Sequence, residues 1–390
     1  MNKIALMVTS AFGLEAVVKR ELQTLGFKDL IVLDGKIEFQ ATLEDIPMLN
    51  IWLRSADRVL LKLAEFKAED FDQLFDQTKA LPWDHWIPKD AKITVIGKSV
   101  KSTLKSLRAN QSIVKKAIVE QLKRKYHTEW LPETGTEYTI QVSILKDVAE
   151  LTLDTSGLGL HKRGYREDKG EVPLRENLAA ALVLLSFWNK DKPLMDPMCG
   201  AGTILIEAAM IARNIAPGLK REFISEKWPL IDQAAWSNAR LSARAAINPG
   251  GTLQISGYDI SADRIKGCLR NAKNAGVETD IVFMQKDIND LRLPQTGGIM
   301  ITNPPYGVKL SNIEEVRSIY RRMDQLFREG EGWSLYLLTA DKKFPEYFKR
   351  MRPSRVRKLY NGTLQVNLYQ YFDSAGKPIL NANDRESNAD

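Results

Sequence analysis

Histidine is nearly absent from this chain: His85, His127 and His161 are the only three in 390 residues. Such scarcity argues against a histidine-based metal site, no metal is expected, and each of the three reads as structural or surface rather than catalytic. Cysteine is as sparse. Cys199 and Cys268 form no disulfide framework and suit a reducing, cytoplasmic setting. Long hydrophobic runs are missing too: the longest nearly apolar stretch, Leu178 to Trp188, falls well short of the roughly 20 residues that span a bilayer. The N-terminus has no basic segment ahead of an apolar one, so neither membrane insertion nor export is expected. No internal repeat or long low-complexity segment appears.

What is present is size and charge. A chain of 390 residues exceeds one ordinary domain, so two or three are expected, and 44% hydrophobic content supplies ample core. The formal net charge of +7 is compatible with a polyanionic partner without establishing one.

The most informative residues are Asn303-Pro304-Pro305-Tyr306, at the end of the apolar run Gly298-Ile299-Met300-Ile301-Thr302. A short apolar run halted by Asn and two prolines reads as a buried strand ending in a rigid loop, because proline lacks an N–H and restricts its neighbour. The Asn303 side-chain carbonyl and the Pro304 carbonyl then offer two acceptors to one NH2 group, and Tyr306 offers a flat face for a planar ring. That is a cradle for an exocyclic amine on a base, although Asn-Pro is also a common turn starter.

A second motif is Asp196-Pro197-Met198-Cys199-Gly200-Ala201-Gly202-Thr203, which follows the apolar Pro193-Leu194-Met195 and precedes a helix-forming stretch from Ile204 to Ala212. The order of strand, acid, two glycines and helix lets a ligand approach the backbone where free helix N–H groups point outward. A dinucleotide fingerprint requires a third glycine where Leu205 stands, which counts against a nicotinamide or flavin enzyme. Two further apolar runs, Ile255 to Ile260 and Ile281 to Asp287, end in Asp259 and Asp287. In an open parallel sheet such ends line the ligand crevice, where Asp259 could bind ribose hydroxyls and Asp287 an adenine amine. Each could equally cap a helix, Asp259 together with Ser261. Asp259 lies far beyond the roughly 20 residues from the glycine loop expected in a dinucleotide fold, so Pro217 to Trp236 reads as an insertion.

Taken in order, the Asp-Pro-Met-Cys-Gly-Ala-Gly-Thr, Gly-Tyr-Asp-Ile and Asn-Pro-Pro-Tyr-Gly series resembles the class I S-adenosylmethionine-dependent RNA methyltransferases that carry a THUMP domain. It is similar in particular to the group that methylates guanine N2 in large-subunit rRNA. The resemblance covers nearly the whole chain, insertion included. It implies S-adenosylmethionine as cofactor, with Asp196, Cys199, Gly200, Gly202 and Thr203 around its methionine end. It further implies Asp259 on its ribose, Asp287 on its adenine, Asn303 at the cofactor as well, and Asn303, Pro304 and Tyr306 on the target base. Val308-Lys309 replaces the Glu-Arg usual after this motif, and Lys cannot form a planar bidentate fork.

The expected fold is α/β: a C-terminal Rossmann-like methyltransferase, with a mostly parallel seven-stranded sheet and a terminal antiparallel hairpin, preceded by an α+β ferredoxin-like plus THUMP region. The expected boundaries are a ferredoxin-like unit at 1–51, THUMP at 52–156, a linker at 157–172, methyltransferase at 173–375 and a tail at 376–390. Strands are predicted over Lys3 to Thr9, Ile31 to Leu33, Lys36 to Phe39, Lys92 to Ile96, Tyr138 to Leu145 and Val148 to Leu153. Helices are predicted over Phe12 to Leu25 and Ser112 to Tyr126. Lys98, Lys101, Lys105, Arg108, Lys115 and Lys116, with Arg163 and Arg166 in the linker, are candidate RNA contacts; a solvated basic face is the alternative. The partner expected is RNA, rRNA first, with ribosome assembly intermediates as a further candidate. A tRNA guanine-N2 enzyme is the closest rival, ahead of an adenine-N6 DNA methylase, which shares the cradle. A release-factor glutamine methylase and a non-catalytic RNA binder fit the basic N-terminal half and the paired motifs less well.

Overall fold

A computed structural model describes residues 3–166, 174–295, 297–305, 313–349 and 352–372. Two compact units emerge: the first is Met1–Ser10, Val18–Lys162 and Pro217–Ala245, and the second is Ala11–Val17, Arg163–Ala216 and the chain from Ala246 onward.

The N-terminal elements are β1 (Ile4–Thr9), α1 (Glu15–Thr24), β2 (Ile31–Leu33), β3 (Lys36–Ala41), α2 (Asp45–Trp52), β4 (Arg58–Lys67), α3 (Phe71–Lys79), β5 (Lys92–Val100), α4 (Leu107–Lys125), β6 (Glu137–Leu145) and β7 (Val148–Asp154). Their strands share one sheet in the order β2-β3-β1-β4-β7-β6-β5. The expected ferredoxin-like and THUMP parts are therefore continuous through β4, which pairs antiparallel with β1 on one side and β7 on the other. β6 alternates as a half-buried strand should, burying Tyr138, Ile140, Val142 and Ile144. The turn from β6 to β7 places Lys146 and Asp147 both at positive φ, the backbone that a two-residue hairpin loop favours. Helix α4 starts five residues before the expected Ser112, because the Ser106 hydroxyl accepts from the Ala109 N–H and caps it there.

Next come α5 (Glu176–Leu185), β8 (Leu194–Asp196), α6 (Thr203–Ala212), α7 (Gln233–Ala245), β9 (Ile255–Asp259), α8 (Ala262–Ala275), β10 (Ile281–Gln285) and β11 (Gly298–Thr302). The chain closes with α9 (Ile313–Glu329), β12 (Trp333–Thr339), α10 (Phe344–Tyr347), β13 (Arg355–Asn361) and β14 (Leu364–Tyr371). The second sheet runs β10-β9-β8-β11-β12-β14-β13, parallel except for the β14 pairings with β12 and β13. This is the expected methyltransferase sheet with its antiparallel hairpin. The central strands β8, β11 and β12 are buried on both faces, as inner parallel strands require, while the edge strand β10 exposes Val282 and Met284. Ile299, Ile301, Tyr336 and Leu338 pack with α5, α6 and α8, whereas Met300, Leu335 and Leu337 pack with α9 and α10.

Two expectations need correction. The insertion, placed by sequence inside 173–375, folds with the first unit: Trp228 stacks on Tyr138 with centroids 4.7 Å apart, and its indole N–H donates to the Glu137 carbonyl. Burial drives this, since an exposed Trp and Tyr would forfeit two large apolar faces. The expected linker is no free hinge over 157–162. The Arg221 guanidinium donates to the carbonyls of Leu158, Gly159 and Lys162 and lies over the Phe223 ring. The remainder of that linker from 167, and the tail, lie outside the described residues.

Candidate active site and basic edge

Strand order reverses between β8 and β11, because β9 and β10 extend the sheet on one side of β8 while β11 and β12 extend it on the other. Ligands of open α/β sheets bind beyond the carboxyl ends of the strands at such a point. Asp196 ends β8 and Thr302 ends β11. The Thr302 hydroxyl donates to Asp196 Oδ1 at 2.7 Å, and the Met198 N–H donates to the same oxygen at 3.1 Å. Both side chains are almost fully buried. Burial pushes the Asp196 carboxyl up to about 7, with nearby Asp259 adding to the shift and the Thr302 and Met198 hydrogen bonds opposing it.

The loop beyond β8 is held against β9. The Cys199 N–H donates to the Tyr258 carbonyl at 2.8 Å, and the Gly200 N–H donates to Asp259 Oδ2 at 3.1 Å. Gly200 and Gly202 both have positive φ, and a Cβ on Gly202 would press on Phe283 and Cys268 Sγ. A Cβ on Gly200 would meet nothing within 4 Å, so the backbone there borders open space that a ligand could fill. Gly202 leads into α6 at Thr203 with no side-chain cap, leaving first-turn N–H groups for a ligand. The Cys199 and Cys268 sulfurs are 3.8 Å apart and buried; that contact and burial raise the Cys199 thiol well above its ordinary range, so it stays an uncharged packing group.

The acids at the neighbouring strand ends behave differently from one another. Asp259 accepts from Gly200 on one oxygen and from the Ser261 N–H on the other, while Ser261 itself caps α8. The alternative of Asp259 as a helix cap thus yields to a carboxylate that ties the glycine loop to β9. Asp287 is half-buried and accepts from the Asn289 N–H, capping a single helical turn.

Asn303 follows Thr302 directly, and its Oδ1 is buried with no hydrogen-bond partner among the described residues. A buried amide oxygen without a donor costs on the order of 1–3 kcal/mol, so among the described residues Asn303 Oδ1 is an acceptor with unused capacity. Pro304 is buried and Pro305 exposed. Tyr306, Val308 and Lys309 lie outside the described residues.

The expected RNA contacts separate into groups. Lys98 on the edge strand β5, and Lys101, Lys105 and Arg108 in the loop and first turn beyond it, are all exposed. The loop is braced by the Ser99 hydroxyl donating to the Leu104 carbonyl and by the Thr103 N–H donating to Asp147. Those bonds bring exposed Lys146 to the same edge, a neighbour that linear spacing does not reveal. Lys115 pairs with Glu133, and Lys116 lies over the Phe75 ring near Glu120. Arg163 is a correction: its side chain is 2% exposed and pairs with fully buried Glu207 inside the second unit, where no RNA phosphate reaches it. Arg166 also turns inward, donating to Thr203 Oγ1 and the Leu174 carbonyl. Sequence reading missed the Thr302 hydroxyl as the brace of Asp196, for which Thr at a strand end was the only signal, and exposed Ile260 beside Asp259. Among the described residues no helix is long and apolar enough to cross a membrane.

Family models match the chain in three consecutive parts: an RlmL ferredoxin-like domain at residues 5–60, a THUMP domain at 68–154 and an RMKL-like methyltransferase domain at 163–370. The YpsC protein of Bacillus subtilis (strain 168), provisionally named an RNA methyltransferase, is 45% identical over 95% of this chain and 97% of its own. A ribosomal RNA large subunit methyltransferase K/L of Psychromonas ingrahamii is 34% identical over 97% of this chain, which spans 51% of that protein. Among solved structures, SMU.472, provisionally described as a methyltransferase and complexed with SAH, is 40% identical, with a TM-score of 0.91 and coverage of 97% of this chain and 100% of that one. A Listeria monocytogenes protein provisionally described as an N6-adenine-specific DNA methylase is 46% identical, with a TM-score of 0.90 and coverage of 96% and 97%.

The raised Asp196 carboxyl has a thermodynamic consequence. An acid whose folded pKa lies above its unfolded value binds more protons when folded, so it costs stability increasingly as pH rises from about 4 through about 7. Asn at this position can still accept from Thr302 and removes that penalty. In thermal melts of the full chain, Asp196→Asn should gain on the parent between pH 5 and pH 8; a difference that stays flat or moves the other way would refute the assignment.

Proposed function

The chain belongs to the RMKL-like methyltransferase family, and on that basis we propose that it transfers the methyl group of S-adenosylmethionine to the exocyclic N2 amine of a guanine in RNA, with large-subunit rRNA as the first candidate. The observation that carries this reading is the buried Asn303 Oδ1, without a partner among the described residues, one residue beyond the Thr302–Asp196 contact.

The residues present fit such a donor. The open space at Gly200, the uncapped start of α6 and the Asp259 carboxylate suit an amino-acid end and a ribose, and SMU.472 holds a ligand of this kind. Bound there, the donor supplies an electrophilic methyl carbon on a sulfonium. The protein's task is then to present the nucleophile. An aromatic amine is a poor one because its lone pair is delocalised into the ring. Asn303 Oδ1 and the Pro304 carbonyl would accept its two hydrogens, which favours a more tetrahedral nitrogen with an available lone pair; the proton that the nitrogen sheds after transfer would pass to water. Positioning and electrostatics thus supply most of the rate, and no histidine base is called for. Tyr306 would support the base by stacking.

RNA as substrate draws support from the THUMP match, from the names of YpsC and the K/L proteins, and from the exposed lysines at the β5 edge. The chain spans about half of the K/L relatives, so their substrate is carried over as a proposal. An adenine amine would fit the same two acceptors, and the Listeria relative is described that way. Labelled donor, incubated with separated large-subunit rRNA, small-subunit rRNA, tRNA and duplex DNA and followed by nucleoside analysis, should yield N2-methylguanine in large-subunit rRNA. Label only as N6-methyladenine in DNA would overturn the substrate, and N2-methylguanine in tRNA would move it.

Asn303→Ala should keep donor affinity and lower single-turnover methyl transfer by about 100-fold or more, the scale of removing one preorganised polar interaction from a transition state. Near-normal turnover would sink the role given to Asn303. Neutralising Lys101, Lys105 and Arg108 together should weaken RNA binding and flatten its salt dependence by about one unit of log–log slope for each phosphate no longer neutralised, with donor affinity intact. An unchanged salt slope would remove this edge from the binding surface.

A further inference from the structure

Arg166 carries more hydrogen-bonding capacity than its surroundings use. Its side chain is about 10% exposed. Nη2 donates to Thr203 Oγ1 at 2.5 Å and to the Leu174 carbonyl at 3.0 Å. Among the described residues Nη1 meets the Glu176 carboxylate alone, at 3.7 Å, and Nε is buried with no acceptor. A guanidinium offers five N–H donors in a fixed plane, and a buried charge without a close partner is expensive. Glu176 answers it poorly, for burial raises that carboxyl and so disfavours its charged form, against the pull of Arg166.

The helix beside the guanidinium adds positive potential of its own, in a cluster where Glu176 and Glu207 face Arg166 and Arg163. Thr203 is the first residue of the ten-residue helix α6, whose cap Gly202 contributes no side chain and whose first turn holds no acid. The positive end of the helix and the charge of Arg166 therefore meet at one point, directly after the glycine loop. We propose that Arg166, together with the first turn of α6, binds the carboxylate of the methyl donor's amino-acid end, and that it selects donors that possess one. Glu176 holds the fork in place until the ligand arrives. The inference rests on the reading that the donor is S-adenosylmethionine, and it moves Arg166 from the RNA surface to the donor pocket.

Two ligands separate the possibilities: S-adenosylmethionine and its decarboxylated analogue, which keeps the adenosine, the sulfonium and the amine but lacks the carboxylate. Titration calorimetry on the full chain should show Arg166→Met weakening S-adenosylmethionine by about 30-fold or more, the scale of truncating one partner of a buried charge pair. The same variant should bind the decarboxylated compound within about twofold of the parent, which also reports an intact fold. Arg166→Lys should restore part of the affinity for S-adenosylmethionine only, since a point charge replaces a planar fork. Equal losses for both ligands would assign Arg166 a purely structural role and overturn the proposal. Unchanged donor affinity with weakened RNA binding would return it to the RNA surface. A parent protein that binds neither ligand would remove the donor reading itself.

Discussion

Beyond the backbone pairing of β8 with β11, one side-chain hydrogen bond ties the two halves of the second sheet where its strand order turns: the Thr302 hydroxyl, at the end of β11, donates to the Asp196 carboxyl group at the end of β8. Everything that the candidate site needs is measured from that pairing. On one side Asp196 takes the Met198 N–H and so starts the glycine loop; on the other Thr302 hands the chain to Asn303 and Pro304. Both partners are shielded from water, where a misaligned polar pair would be costly, so the bond specifies position more than it adds stability. Asp259 repeats the device one strand over by accepting from Gly200, and the loop is gripped at two points along its length.

Much of this was legible in the residues because the elements concerned obey local rules. Strands β9, β10 and β11 are short apolar runs closed by Asp, Asp and Asn-Pro-Pro, and they appear where periodicity and proline chemistry put them. The terminal antiparallel hairpin expected from the sequence forms as β13 and β14, turning at Asn361-Gly362, where Gly362 supplies the positive φ that such turns favour. The two glycines of the loop beyond β8 were likewise readable, since both take left-handed backbone.

What the residues hid was long-range. The stacking of Trp228 on Tyr138 links positions 90 apart in sequence, and no window of local pattern contains both. Arg163 and Arg166 read as a basic loop because linear charge says nothing of burial; only packing reveals that one faces Glu207 and the other Thr203. Lys146 was overlooked for the opposite reason, an exposed cation brought beside Lys101 and Lys105 by a hairpin and a braced loop. Charge is therefore a weak guide to a surface until topology has sorted which cations face water.

The polypeptide visits each compact unit three times: residues 11–17 return to the second unit early, and the helical insertion 217–245 leaves it again to rejoin the first. No single cut separates such interleaved bodies. A fragment ending at residue 162 would lack Trp228 and bare one ring face of Tyr138, while one beginning at 163 would miss Leu14 and Val17 from its core. Recombination could transplant this pair of modules only as one indivisible cassette, and about half of each K/L relative corresponds to the whole of it.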